Sequence, residues 1–450
     1  MINEANQKLT RKGNCMSKMG EEEKGEVRVS ATIEELLLGA LARGEEILKT
    51  GRYIMTFREN SVDQGIKSLD AKGFNIKDAR DFKNQAVTLQ DVGNAEALVF
   101  PEIRSALVSS PVVQEFGISI QGKMMAEGPV EVIEPEYFVF ADNSDYMRGF
   151  VSAANAIAKD LEAGKGAIYE MEKVDAQKVD AQVLGATWGL VQCKVPQSSR
   201  SGSGIKVAVL DTGFDIEHPD FVGRSITTET FVDQPVQDLH GHGTHTVGTA
   251  CGPKEPTRDT PRYGIAYECQ IFVGKVLDNS GNGTTASVLA GINWAIANGC
   301  EVINMSLSGQ EAVQAAYTAA GSSALDKSCL IIAAAGNAGS DTGAPANSPT
   351  IMSVASLDQT LTPSYFSNCG KIEIAAPGRE VLSSMPRPRL NGSMSGTSMA
   401  APHVSGCAAL WAQSKPTLRG KNLWNILKSY TLSLTPPPCC IGKGLVQAPT

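Results

Sequence analysis

The second half of the chain alternates short apolar runs with helical segments, and this alternation constrains the fold more than any other feature. Residues 205–210, 302–307 and 328–335 have the composition of buried strands, and residues 286–298 predict a helix. Strands separated by helices pair in parallel and are covered by helices on both faces. The sequence therefore predicts an α/β fold with a doubly wound, mostly parallel sheet over residues 185–450.

A smaller α+β unit is predicted before this region, over residues 51–141. Its segments follow the order β-α-β-β-α-β, which is typical of a small open-faced sandwich. The predicted strands are residues 53–57, 97–100, 105–108 and 130–141, and the predicted helices are residues 61–73 and 112–116.

Two polar stretches complete the chain. Residues 1–50 are predicted to be a disordered N-terminus followed by a short helix, which begins at a capping box formed by Thr32 and Glu35. Residues 142–184 are predicted to be a connector with one helix, over residues 146–161. The N-terminus lacks an apolar stretch of the secretory-signal type, so we expect a cytoplasmic protein or one exported by a signal-independent route.

Composition and charge argue against several classes of function. The formal net charge of −8 argues against nucleic acid as a partner, because phosphate binding needs a concentrated basic surface. No apolar run reaches the roughly 18 residues of a membrane-spanning helix. The ten cysteines have long, irregular spacings and no C-x-x-C pair, so we expect reduced thiols and no zinc site.

Two motifs suggest chemistry but leave alternatives open. Asp211 follows a buried apolar strand, and such an acid lies at the carboxyl edge of a parallel sheet, where ligands bind. The same strand-Asp-x-Gly pattern occurs in many α/β proteins without a catalytic role. His240, His242 and His245 lie within one short segment, which suits a metal cluster and acid–base chemistry about equally.

A third motif places Ser398 among small residues at the start of an apolar helix. Backbone amides at a helix start stabilise negative charge, which suits a serine whose attack creates an oxyanion nearby. The chain thus supplies an acid, an imidazole and a hydroxyl, in the order Asp211, His242, Ser398.

With this order of motifs, residues 185–450 resemble the catalytic domain of the subtilases, the subtilisin-like serine proteases of peptidase family S8. The resemblance implies a serine endopeptidase in which Ser398 is the nucleophile, His242 the general base and Asp211 the group that orients the imidazole. Asn337 matches the side-chain donor of the oxyanion hole. The implied substrate-binding residues are Ser306, Leu307, Ser308 and Gly309, together with Gly281, Asn282, Gly283 and Gly336.

Two positions depart from the pattern of the family. Ser308 stands where many relatives have glycine, a change expected to narrow or polarise the specificity pocket. Asp220 matches a common calcium ligand, but the Asn-rich loop expected after the histidine helix is missing. No cofactor is therefore expected to be required, and calcium remains a candidate only as a structural ion.

Residues 51–141 resemble an inhibitor I9-like propeptide. This resemblance implies an intramolecular chaperone and inhibitor, made as part of a zymogen, whose last strand (residues 137–141) lies in the active-site cleft. Cleavage would fall near Ala141 or in the connector up to about residue 184. A generic interaction domain is the alternative interpretation. The expected partners are protein or peptide substrates and the chain's own propeptide, in a monomer that binds neither nucleic acid nor membrane.

Two other functions remain open from the residues themselves. One is a catalytically silent binding module on the same fold, against which the complete set of Asp211, His242, Ser398 and Asn337 argues. The other is a metal-binding protein built on the histidine cluster.

Overall fold

The computed structural model describes five stretches of the chain. These are residues 27–43, 48–116, 127–141, 185–309 and 312–450. The predicted disordered terminus, up to residue 26, and the connector with its predicted helix lie outside the described residues.

The first unit is a sheet with the strand order β2-β3-β4-β1-β5. Its strands are β1 (Lys49–Phe57), β2 (Ile76–Asp78), β3 (Ala97–Phe100), β4 (Ser105–Val108) and β5 (Val130–Phe140), and its helices are α1 (Ile33–Arg43), α2 (Val62–Asp70), α3 (Leu89–Val92) and α4 (Ser110–Glu115). Every strand and helix predicted for residues 51–141 is confirmed. The short β2 and α3 were not predicted.

Helix α1 begins at the predicted capping box. The Thr32 amide donates to the Glu35 carboxylate (3.0 Å), and the Glu35 amide donates to the Thr32 hydroxyl (3.2 Å). One face of the helix buries Leu36 and Ala40 in a cluster that includes aromatic side chains of β5. The segment before the small sheet therefore packs on the last strand of that sheet.

The second unit contains the larger sheet. Its helices are α5 (Trp188–Gln192), α6 (His242–Cys251), α7 (Thr285–Ala297), α8 (Ala315–Asp326), α9 (Thr397–Ser414), α10 (Gly420–Ser429) and α11 (Pro438–Ile441). Its strands are β6 (Lys206–Asp211), β7 (Ile226–Thr230), β8 (Gln270–Lys275), β9 (Asn282–Thr284), β10 (Val302–Met305), β11 (Leu330–Ala334), β12 (Met352–Leu357), β13 (Ile374–Pro377), β14 (Val381–Ser384), β15 (Asn391–Met394), β16 (Thr431–Leu432) and β17 (Leu445–Val446).

The large sheet confirms the predicted α/β fold. Its order is β16-β17-β13-β12-β11-β10-β6-β8-β7, and all neighbouring strands pair in parallel except β16 and β17. Alternate side chains of β6 enter opposite cores: Val207 and Val209 pack with residues of α6 and α9, whereas Ala208 and Leu210 pack with residues of α7. The sheet is thus doubly wound, with helices on both faces.

The cysteines differ in part from the prediction of reduced thiols. That prediction is wrong for Cys369 and Cys440, which form a disulfide across a sequence separation of 71 residues. Folding brings the β12–β13 connection against α11, a proximity that irregular spacing in the sequence does not reveal. Among the other described cysteines, which are free thiols, Cys439 is exposed and the rest are buried.

A search of the described residues finds no helix that is long and apolar enough to span a membrane.

The central strand β10 generates a stability prediction. Ile303 is fully buried there, so Ile303→Ala should lower the free energy of unfolding by about 2 to 5 kcal/mol through lost burial and a residual cavity. The measurement is urea unfolding followed by tryptophan fluorescence. The matched control is Ile216→Ala, since Ile216 is 53% exposed and its loss should change stability by less than about 0.5 kcal/mol. Equal effects of the two variants would contradict the packing described for β10.

Candidate active site

Asp211 lies at the carboxyl edge of the large sheet, where the first motif predicts an acid. Asp211 is the last residue of β6 and pairs in register with Lys275, the last residue of β8. On the other side of β6, Leu210 pairs with Met305 at the end of β10. The loops after all three strands therefore emerge at one carboxyl edge, which is where doubly wound sheets bind ligands.

Asp211 and His242 form a buried hydrogen-bonded pair. The distance from His242 Nδ1 to Asp211 Oδ1 is 2.7 Å, and neither side chain is exposed. The carboxylate also accepts the Thr212 amide at Oδ1 (2.7 Å) and the Thr246 hydroxyl at Oδ2 (3.1 Å). Because a carboxylate accepts the hydrogen of this bond, Nδ1 carries the hydrogen of the neutral ring and the lone pair is on Nε2.

A second buried carboxylate shapes the turn that carries His242. Asp238 Oδ1 accepts the Thr212 hydroxyl and the amides of His240 and Gly241, and Oδ2 accepts the amide and hydroxyl of Thr244. The negative charge thus lies at the start of α6, where free amides need acceptors. Asp238 ties the end of β6 to the beginning of the histidine helix.

Ser398 is the second residue of α9, and its hydroxyl faces the end of β5. Its Oγ is 3.2 Å from the carbonyl oxygen of Ala141 and 3.3 Å from that of Ser306. The Ser306 hydroxyl in turn donates to the carbonyl of Ser398 (2.7 Å). Among the hydrogen bonds of the described residues, none joins the Ser398 hydroxyl to His242, so the serine is turned toward the strand in the cleft.

The contacts around Ala141 nevertheless indicate that Ser398 and His242 lie at the same cleft. The Ala141 amide donates to the carbonyl of Gly281 (2.8 Å). A Cβ atom added to Gly281 would lie 3.1 Å from His240 Nε2 and 3.4 Å from the Ala141 Cβ. The rings of His240 and His242 lie 6.1 Å apart. The Ser398 hydroxyl and the Asp211–His242 pair therefore approach the same end of β5 from two sides.

Asn337 is oriented by the start of the serine helix. Its Oδ1 accepts the amide of Thr397 (2.7 Å), and only 6% of its surface is exposed. A Cβ atom added to Gly396 would lie 3.3 Å from Asn337 Nδ2 and 3.6 Å from the Ser398 amide nitrogen. Asn337 Nδ2 and the Ser398 amide nitrogen therefore both lie within 3.6 Å of one point beside the serine.

The end of β5 lies between the two segments predicted to bind substrate, around Gly283 and around Ser308. Residues 138–140 pair in antiparallel register with β9, Val139 opposite Gly283 and Phe140 opposite Asn282. On the other side, Phe140 exchanges two backbone hydrogen bonds with Ser308, of 3.2 and 3.0 Å. The chain in the cleft is therefore the central strand of a three-stranded arrangement.

Three predicted substrate-binding residues have other backbone partners than β5 among the described residues, and their predicted role stays a prediction. Leu307 is buried, and the Gly309 amide donates to the carbonyl of Ala344 (2.8 Å). Gly336 lies behind the site, where its amide donates to the Thr397 hydroxyl (3.0 Å). In the described part of the chain, no backbone hydrogen bond joins these three residues to β5.

The surroundings of Asp220 do not fit a calcium ion. Its carboxylate accepts the amide (2.7 Å) and hydroxyl (2.5 Å) of Thr257 and the hydroxyl of Tyr263 (2.5 Å). These groups point hydrogen atoms at the carboxylate, whereas calcium needs further oxygen ligands there. No cluster of three or more metal-ligating side chains occurs among the described residues, the histidine segment included.

Sequence reasoning missed several residues that support the site. Lys275 is buried, its ammonium donates to the carbonyl of Thr212 and to Asn279 (2.9 Å), and burial lowers its pKa to about 8. Asp238 was missed as well. The spacing of four residues between His242 and Thr246, one helical turn, is the signal that could have revealed the second donor to Asp211.

Two histidines near the site are structural. His245 Nε2 donates to the carbonyl of Val381 (2.9 Å), and His403 Nδ1 donates to that of Met399 (2.8 Å). Burial disfavours the charged imidazole, which lowers the pKa of His245 to about 3 and that of His403 to about 4. The surrounding protein therefore keeps both rings neutral across the physiological range.

These depressed pKa values predict a loss of stability in acid. Below the ordinary histidine pKa of about 6.5 the unfolded chain takes up protons that the folded chain refuses, so stability is full above that pH and falls as pH decreases. Each ring should contribute a slope of up to about 1.4 kcal/mol per pH unit. Urea unfolding of the wild type and of His245→Gln, from about pH 6.5 to about pH 5, should show a shallower slope in the variant. Identical slopes would contradict the neutral, buried His245.

Comparison with known proteins agrees with this geometry. The model of the Subtilase family, Peptidase_S8, matches residues 202–433. Subtilisin Savinase of Lederbergia lenta is 36% identical over 266 residues, covering 58% of this chain and 96% of that protein. An alkaline protease of Alkalihalobacillus alcalophilus is 36% identical over 60% of this chain and 71% of its own length.

Fungal relatives match over a smaller share of their length. Subtilisin-like protease 1 of Trichophyton rubrum is 39% identical over 50% of this chain, and the chain spans about half of this and two similar fungal relatives, 46% to 58%. Among solved structures, a cold adapted subtilisin-like serine proteinase superposes with a TM-score of 0.51 at 30% identity, over 58% of this chain and 97% of its own. The chain therefore belongs to the subtilase family.

Proposed function

We propose that this chain is a serine endopeptidase, made as a self-processing zymogen, that hydrolyses peptide bonds through an acyl-enzyme. One observation carries the proposal. A segment of the chain itself, which includes Ala141, is bound between two strand edges, and the Ser398 hydroxyl is 3.2 Å from the carbonyl oxygen of Ala141. The same cleft holds the buried Asp211–His242 pair.

The roles in the proposed reaction follow from these contacts. Ser398 attacks the scissile carbonyl after its hydroxyl rotates from the carbonyls it now contacts toward His242, which takes the proton at Nε2. His242 then gives that proton to the leaving amine. Asp211, bonded to Nδ1, holds the imidazole in this tautomer and stabilises its positive form. Water repeats the sequence to release the acyl group. Every group in this scheme belongs to the chain, so the proposed chemistry requires no cofactor.

Asn337 and the backbone amide of Ser398 are the proposed oxyanion donors. The Thr397 amide donates to Oδ1 of Asn337, and this bond orients the side-chain amide (2.7 Å). Donors held in place before the reaction stabilise negative charge without reorganising, and they act most strongly where water is excluded.

The proposed role of residues 51–141 is that of a propeptide that inhibits the cleft and assists folding. Glu136 lies in a buried ion pair within the small unit, with its Oε2 2.6 Å from Arg52 Nε, and it also contacts the larger unit. Glu136 Oε1 accepts the Ala286 amide (3.1 Å) at the start of α7. Glu134 likewise accepts the amides of Ala315 (3.1 Å) and Ala316 (2.8 Å) at the start of α8. Two carboxylates of β5 thus face two helix N-termini of the larger unit, which is electrostatically favourable.

The contact of Ser398 with Ala141 favours cleavage close to this residue over cleavage far along the connector. Proteins and peptides are the proposed substrates, because the cleft edges bind extended backbone through main-chain hydrogen bonds.

Self-processing provides the first test. The wild-type chain, refolded alone, should shorten to a species whose N-terminus, read by mass spectrometry, falls within about two residues after Ala141, whereas Ser398→Ala should remain full length. Ser414→Ala, at the other end of the same helix, is the matched control and should shorten normally.

A fluorophosphonate probe separates the proposed enzyme from a silent module on the same fold. The probe should label wild type at Ser398 and leave Ser398→Ala unlabelled. An unlabelled wild type that remains intact would refute the proposed function.

The oxyanion donor provides a second test. Asn337→Ala should lower kcat for a peptide amide by about 10²- to 10³-fold with little change in KM, which is the loss known for removal of the oxyanion-hole asparagine of a subtilisin. The control is Asn422→Ala, at an exposed position of α10. A loss confined to KM would show that Asn337 contacts the substrate equally in the ground state and would contradict its assigned role.

A further inference from the structure

The loop that carries Asn337 has no helix or strand of its own. Residues 335–341 follow β11 and lie outside its strand, although the Ala335 amide still donates to the carbonyl of Val354 in β12 (3.0 Å). Buried backbone amides and carbonyls need partners, and a segment outside regular structure must find them elsewhere. The position of Asn337 therefore depends on whatever holds this loop.

One buried side chain supplies four of these partners. Asn368 is fully buried between β12 and β13. Its Oδ1 accepts the amides of Ala338 (2.9 Å) and Ser340 (3.1 Å). Its Nδ2 donates to the carbonyls of Ala335 (3.1 Å) and Asp341 (2.9 Å). A carboxamide can make four hydrogen bonds of this kind, and here all four go to the backbone that flanks Asn337.

The backbone around Asn368 adds further bonds to the same loop. The Asn368 amide donates to the carbonyl of Gly336 (2.9 Å), and the Cys369 amide donates to that of Ser340 (2.9 Å). Gly336 has φ +102°, and a Cβ atom there would lie 2.5 Å from Asn368 Nδ2. The close approach of the carboxamide thus requires glycine immediately before Asn337.

We propose that Asn368 is a positioning residue of the oxyanion site: its carboxamide fixes the loop of residues 335–341 and so holds Nδ2 of Asn337 beside Ser398. The inference rests on the proposed function. Asn368 acts through Asn337, because its four side-chain bonds are all made to the loop.

The disulfide anchors the segment that contains Asn368 to the rest of the fold. Cys369, directly after Asn368, is bonded to Cys440, and the Gly370 amide donates to the carbonyl of Cys439 (2.7 Å). The segment that holds the loop is therefore itself held from the opposite side.

The test uses Asn368→Asp, which keeps the size and both acceptor bonds but replaces the two donated bonds with repulsion between oxygens. We expect kcat for a peptide amide to fall about 10- to 100-fold with KM within about threefold of wild type, since small misplacements of catalytic groups cost this much. Asn368→Ser is the second variant, in case the aspartate does not fold. Variants that process slowly are matured by a trace of affinity-tagged wild type, which is then removed. Asn422→Asp, the same change at an exposed position, is the matched control and should leave kcat unchanged.

A double-mutant cycle distinguishes positioning from a general structural role. If Asn368 acts through Asn337, the variant that combines Asn368→Asp with Asn337→Ala should be within about threefold of Asn337→Ala alone. Losses that multiply, a loss confined to KM, or a kcat within about threefold of wild type would each overturn the inference. A wild type that neither cleaves peptides nor reacts with a fluorophosphonate would instead refute the proposed function.

Discussion

The parallel pairing of β6 with β10 on one side and β8 on the other is the constraint on which the rest of the site depends. It places Asp211 level with Lys275 and one residue beyond the pair formed by Leu210 and Met305. Since carboxyl ends of parallel strands meet at one edge, the acid, the buried lysine and the segment that begins at Ser306 emerge together. A shift of β6 by one residue would turn Asp211 toward the opposite face of the sheet.

Each buried charged side chain near this edge is stabilised by hydrogen bonds from neighbouring groups. Asp211 and Asp238 are both fully buried, and each accepts several bonds from amides, hydroxyls or an imidazole. Asp215, a few residues later, is bonded to the guanidinium of Arg387 (2.9 Å), which lowers the pKa of its carboxyl despite burial. The ammonium of Lys275 links the end of β6, at Thr212, to Asn279 in the loop before β9. An isolated buried charge would be costly, so this network also determines which loops lie together.

The small unit and the large one meet through a strand and two helix starts. The strand β5 pairs with β9 inside the cleft, and its carboxylates face the first turns of α7 and α8. Both kinds of contact are directional, so they determine the register in which residues 138–141 lie along the cleft. Helix α1 also packs on this strand, where Leu36 and Ala40 contact Phe138 and Phe140. Several independent contacts therefore fix the register of the bound strand, and this register brings Ala141 to Ser398.

The sequence by itself determined the elements whose signals are local: the capping box at Thr32, the alternation that makes the parallel sheet, and the order Asp211, His242, Ser398. These follow from side-chain periodicity and from backbone chemistry over a few residues. Only the tertiary structure decided which distant groups share a hydrogen bond or a covalent link. Examples are the disulfide between Cys369 and Cys440 and the hydrogen bonds of Asn368 to the loop that carries Asn337. It also brought the hydroxyl of Tyr263 to the carboxylate of Asp220. Such pairings depend on distances between segments far apart in the chain, which only the packing of the sheet and its helices sets.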